Sequence, residues 1–130
     1  MRAVLLVLLV GVATVAKAEW TKWSESADSE LYVDLASLRI DGSLRRVWEL
    51  SDYRRPVNGV RSSYFLSEYD CEEARGRILA RSAYAGPMAN GDLVSASSDP
   101  TDWHRLPPGT SGEAMRNLAC AAVRQAGTPP

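Results

Sequence analysis

The sequence predicts an α+β fold: an antiparallel meander of about five to six strands, with one C-terminal helix packed on one face and tied to it by a disulfide. Three observations predict it. Asp41-Gly42, Asn58-Gly59 and Asn90-Gly91 are tight-turn dipeptides, each able to supply the positive φ that a hairpin needs. Only residues 110–124 carry a convincing helical stripe after residue 18. The chain's two cysteines fall one at the end of a strand, Cys71, and one inside that helix, Cys120.

From the N-terminus, Met1-Arg2 precedes an apolar run over residues 3–15, and Ala16-Lys17-Ala18 then gives the small-x-small pattern of a signal-peptidase site. Residues 1–18 are therefore expected to be a signal peptide cleaved between Ala18 and Glu19. The run is too short to span a membrane as a helix, and no later stretch approaches the required length. The first cysteine is Cys71 and the C-terminus is polar, so no lipid-anchor cysteine is expected. The chain is placed in the periplasm or at the cell surface. Residues 19–126 are read as one domain and residues 127–130 as a short disordered tail.

Of the 15 basic residues in the chain, Arg2 and Lys17 leave with the signal, so 13 face 16 acidic ones. That mild negative balance gives no reason to expect a nucleic acid partner. In an oxidising compartment the two cysteines are most simply one structural disulfide, since they lack the Cys-x-x-Cys spacing of a redox pair.

Along the domain, residues 20–25 and 31–33 are β-leaning, and Asp34 is expected to cap a short turn at 35–38. Residues 44–53 form the next strand, with Leu44, Arg46, Trp48 and Leu50 on one face and Arg45, Val47, Glu49 and Ser51 on the other. Neither face is cleanly apolar, so its orientation stays open. Arg54-Arg55-Pro56 should end it, because proline cannot donate to the ladder. In residues 60–71, if Cys71 points at the helix then Tyr69, Ser67 and Phe65 do too, leaving Glu68 and Asp70 outside. In the paired strand 75–84, Ile78, Ala80 and Tyr84 should face in. Arg75, Arg77, Leu79 and Arg81 should face out beside those two acids, as a mutually neutralising lattice. Short strands at 93–96 and 102–106 follow. Thr110-Ser111-Gly112-Glu113 then fits a capping box, and Met115, Leu118, Ala119, Ala122 and Val123 form the stripe of a helix lying on a sheet.

Chemistry is sparsely signalled. His104 is the sole histidine, and with Asp99 and Asp102 it lacks the second histidine or free thiolate that a metal site needs. No Gly-x-Ser-x-Gly turn is present, and Glu72-Glu73 sits at an expected hairpin turn. No enzyme, cofactor or metal is expected. Arg54, Arg55 and Arg61 flank a loop with few local acids apart from Asp52, which makes them the candidate partner contacts.

Several landmarks now stand together: Trp20, Tyr32-Val33-Asp34, Glu68-Tyr69-Asp70-Cys71, Gly86-Pro87-Met88 and Pro108-Gly109-Thr110 before a helix with Cys120. In these the chain resembles the bacterial surface-adhesin protein E family, over roughly residues 20–120. The resemblance implies an antiparallel sheet with a disulfide-held C-terminal helix. It also implies non-enzymatic attachment to host extracellular-matrix or serum proteins. The alternative is a soluble periplasmic module that binds a small ligand or envelope partner in a groove between helix and sheet, lined by Trp20, Trp23, Trp48 and Tyr84.

Overall fold

The computed structural model describes residues 10–11 and 18–126, with side chains as far as residue 121. Nearly all of the expected signal segment, the 127–130 tail and the side chains of Ala122 and Val123 lie outside that description. Seven strands form one antiparallel sheet: β1 (Thr21–Glu25), β2 (Ser29–Asp41), β3 (Leu44–Val57), β4 (Val60–Asp70), β5 (Arg75–Tyr84), β6 (Leu93–Ser97) and β7 (His104–Arg105). The first six are ordered as in the chain, and β7 pairs with the other end of β5. The helix α1 (Ser111–Ala126) lies on one face.

Local chemistry explains the turns. Asn58 (φ 50°) and Gly59 (φ 79°) join Val57 to Val60 as a two-residue turn with both central φ values positive, the backbone that matches the twist of flanking strands. Gly42 (φ 57°) plays the equivalent part between β2 and β3. Asn90-Gly91 does not close a tight hairpin, because the β5–β6 connection is longer and contains a 3-10 turn, Pro87–Ala89. That loop needs a glycine at residue 86, where an added Cβ would sit 2.6 Å from the Asn90 carbonyl oxygen.

Cys71 and Cys120 are bonded, with Cα atoms 5.9 Å apart. The bond fixes the end of β4 to the middle third of α1, and the helix is rotated to suit it. Met115 and Ala119 are buried, Gly112 packs on Leu106, and Arg116 donates to the carbonyls of Asp70 and Cys71. The face that meets the sheet is therefore 112, 115, 116, 119 and 120, and Leu118, expected in the stripe, is exposed. At the helix start the Thr110 hydroxyl accepts from the Glu113 amide while the Glu113 carboxylate accepts from Gly109, a reciprocal cap displaced by one residue. Val33, Val47, Tyr69, Met115 and Ala119 form the core, with Trp23, Leu38 and Leu106 packed against it.

Bulges correct the expected register in three places. Residues 35–38 are not a separate turn but an insertion within β2, between the pairs Asp34–Trp48 and Arg39–Arg46. Ser37 rather than Asp34 closes it, donating to the Asp34 carbonyl and accepting from the Trp48 amide. Strand β3 continues through Pro56, because past Asp52 the ladder with β4 is irregular and a missing N–H costs nothing there. In β5 an extra residue at Leu79 reverses the alternation: Ile78 keeps the helix side, but Ala80 and Tyr84 move to the outer face and Arg81 leaves it.

Candidate binding surfaces

The face of the sheet turned away from α1 carries the charged lattice anticipated from β4 and β5. Glu68 is fully buried and held by two arginines, with Arg46 Nε 2.6 Å from Oε2 and Arg77 Nη2 2.8 Å from Oε1. Asp70 accepts from Arg75 at 3.0 Å and from the amides of Glu72 and Glu73, which shapes the β4–β5 turn. Burial alone would raise both carboxyls. For Glu68 the hydrogen bonds from Arg46 and Arg77 outweigh it, and for Asp70 the two turn amides and Arg75 do, so both are held below the ordinary carboxylate range. Trp103 lies across the guanidinium groups of Arg75 and Arg77, 4.6 and 4.5 Å from its ring centroid. Trp103 reaches them because β7 pairs with β5, a long-range contact with no local signal in the sequence.

Beside the lattice is an aromatic cluster that includes Trp20 and Trp48, two of the residues expected to line a groove under the helix. Trp48 and Tyr64 stack with centroids 4.3 Å apart and planes 10° from parallel, and Trp20 meets Tyr64 edge-on at 5.6 Å. All three are half-buried. Alternation along β3 and β4 puts Trp48 and Tyr64 on the outer face, and Tyr84 follows after the Leu79 bulge. Of the four aromatics expected to line a groove under the helix, only Trp23 does so.

The three candidate arginines stand at the far end of the sheet and are not equivalent. Arg61 donates to Asp52 at 3.0 Å and to the Tyr53 carbonyl, and Asp52 also accepts from the Met88 amide, which ties β3 to the 3-10 turn. Arg54 meets Glu25 at 3.3 Å and Glu30 at 3.5 Å, acids that the β1 and β2 pairing brings to it from distant sequence. Arg55 is exposed and forms no ion pair among the described residues. Arg54 and Arg55 border a depression of about 660 Å³ with Ala27, Asp28, Tyr53 and Val57.

On the helix side, a cleft of about 280 Å³ opens beside the start of α1, bordered by Trp23, Leu31, Phe65, Ile78, His104 and Leu106 among others. Glu49 lies in it, only 4% exposed, accepting from the Tyr69 hydroxyl at 2.6 Å. Burial pushes the Glu49 carboxyl up, against smaller opposing effects of the Ser67 and Tyr69 hydroxyls. The Trp23 indole Nε1 is buried without a hydrogen-bond partner. No group of three or more potential metal ligands occurs among the described residues, and His104 does not gather Asp99 and Asp102 around it. No helix among them is long and apolar enough to cross a membrane.

Comparison with known proteins gives these surfaces a setting. The family described as surface-adhesin protein E matches residues 20–121. The fold is similar to the selenomethionine form of Haemophilus influenzae protein E, at 14% identity and TM-score 0.63, covering 84% of this chain and 91% of that one. It is similar to crystal form II of the same protein at 14% identity and TM-score 0.62, covering 87% and 95%. Protein E from non-typeable Haemophilus influenzae gives 15% identity and TM-score 0.55, covering 88% and 92%. No curated protein matches the chain in sequence.

Proposed function

The chain belongs to the surface-adhesin protein E family, and from that premise we propose that it is an exported, non-enzymatic binding domain that attaches the cell to host extracellular-matrix or serum proteins. The match over residues 20–121 carries the reading. The chemistry of the outer face supports it. Half-buried Trp20, Trp48 and Tyr64 share this face with Arg46 and with Arg75 and Arg77 against Trp103, and Trp, Tyr and Arg are the residue types that dominate the energetics of protein interfaces. Trp48, Tyr64 and the three arginines are strand residues of a sheet clamped by a disulfide, with little conformational freedom to lose on binding. The arginines are already paired with Glu68 and Asp70, so the face presents planar apolar and guanidinium surfaces without a large net charge.

The proposal requires that Ala18–Glu19 be a processing point and that the mature domain reach the cell exterior. N-terminal sequencing of the exported protein should begin at Glu19. Antibody labelling and protease shaving of intact cells should reach the domain, and protection from both reagents would count against adhesion.

A further inference from the structure

Three acidic side chains are buried among the described residues, and two of them have been given counter-charges. Glu68 has Arg46 and Arg77, and Asp70 has Arg75. Glu49 has none: its contacts are the hydroxyls of Ser67 and Tyr69, both neutral. A carboxylate withdrawn from water without a cation is expensive to keep, and a leucine at this position of β3 would pack the same face at no such cost. The fold does not use Glu49 to hold elements together as it uses Glu68.

The surroundings point outward to a ligand. Glu49 borders the cleft beside α1, whose walls are mostly apolar, with Trp23, Leu31, Phe65, Ile78 and Leu106; Arg77, whose guanidinium is held by Glu68, and His104 also border it, and neither pairs with Glu49. At about 280 Å³ it falls at the lower edge of the roughly 300–1,000 Å³ typical of ligand sites, so it suits a fragment-sized molecule. With Arg77 committed to Glu68, the Glu49 carboxyl has no ion-pair partner, and the smallest group that supplies one while filling the apolar remainder is an ammonium on an apolar stem.

We propose that this cleft is a binding site for a primary alkylammonium group, with Glu49 as its counter-ion and Trp23, Leu31 and Phe65 against its apolar stem. A free small amine and the side chain of a lysine on another protein share that chemistry. The site lies on the opposite face from the aromatic and arginine surface, so it stands or falls independently of adhesion.

The test uses the disulfide-bonded chain labelled with ¹⁵N, in which the Trp23 indole N–H is assigned by its loss in Trp23→Phe. Titration with 2-phenylethylamine should shift that resonance saturably, and the uncharged analogue 2-phenylethanol should bind at least about tenfold more weakly. Glu49→Gln keeps the shape and the hydrogen bond with Tyr69 while removing the charge, and it should weaken amine binding by a similar factor. N-acetyl-lysine methylamide separates the sources: binding as strong as the free amine assigns the site to protein lysines, and much weaker binding assigns it to small amines. Equal binding of amine and alcohol, undiminished binding by Glu49→Gln, or no saturable shift with either amine overturns the proposal. If Glu49→Gln fails to fold, the amine and alcohol comparison on the unaltered chain decides.

Discussion

Replacing both Cys71 and Cys120 with alanine removes the disulfide cross-link between sheet and helix and leaves every strand pairing in place. The two residues are 49 apart in sequence. The chain-entropy relation for a loop of that length gives about 4 kcal/mol of lost stability at 25 °C. With a urea m-value of about 2 kcal/mol/M for a domain of this size, the unfolding midpoint should fall by about 2 M. The helix should suffer most, because Met115 and Ala119 are its fully buried anchors and Arg116 reaches carbonyls next to Cys71. Urea titrations followed by both far-UV circular dichroism and tryptophan fluorescence test this. A midpoint shift below about 0.5 M, with the two probes still coincident, would refute the claim that the bond clamps the domain.

Three further outcomes follow from the same geometry. Met115→Ala should cost about 3 kcal/mol, since a fully buried methionine leaves a cavity between α1 and the sheet; a urea midpoint within 0.5 M of the unaltered chain would contradict it. Burial holds Glu49 above the ordinary carboxyl value of 4.5, so its contribution is fully present below that pH and is lost as pH rises. Glu49→Gln should therefore gain melting temperature relative to the unaltered chain between pH 4 and pH 8, and a relative loss would show the sign to be wrong. Glu68 is lowered instead, so its contribution is present above 4.5 and lost as pH falls; Glu68→Gln should narrow the difference in melting temperature between pH 7 and pH 3, and an unchanged difference would remove the lattice as a source of acid sensitivity.

Features written in neighbouring residues were legible before the structure. The Asp41-Gly42 and Asn58-Gly59 turns, the cysteine pair, and the parity that sets Glu68 and Asp70 opposite Arg77 and Arg75 all depend on short-range chemistry or strict alternation. What failed depended on a single residue being added to a ladder. The bulge at Leu79 has no compositional mark, yet it moved Tyr84 and Arg81 across the sheet. Strand β3 carries charges on both faces, so no pattern could reveal that Glu49 would be enclosed while Arg46 remained half-exposed. The helix stripe misplaced Leu118 because the apolar pattern of a short alanine-rich helix is weaker than the constraint that a bond at Cys120 imposes. Arg54 looked poor in acids only because Glu25 and Glu30 arrive from other strands.

The proposal that the outer face is a protein-binding surface is most directly tested by biolayer interferometry of the disulfide-bonded domain against immobilised extracellular-matrix and serum proteins at physiological ionic strength. Saturable binding to at least one of them is expected, weakened about tenfold or more by Trp48→Ala or Tyr64→Ala and unchanged by Leu118→Ser on the exposed side of the helix. Absence of binding across the panel, or binding indifferent to both aromatic substitutions, would contradict it.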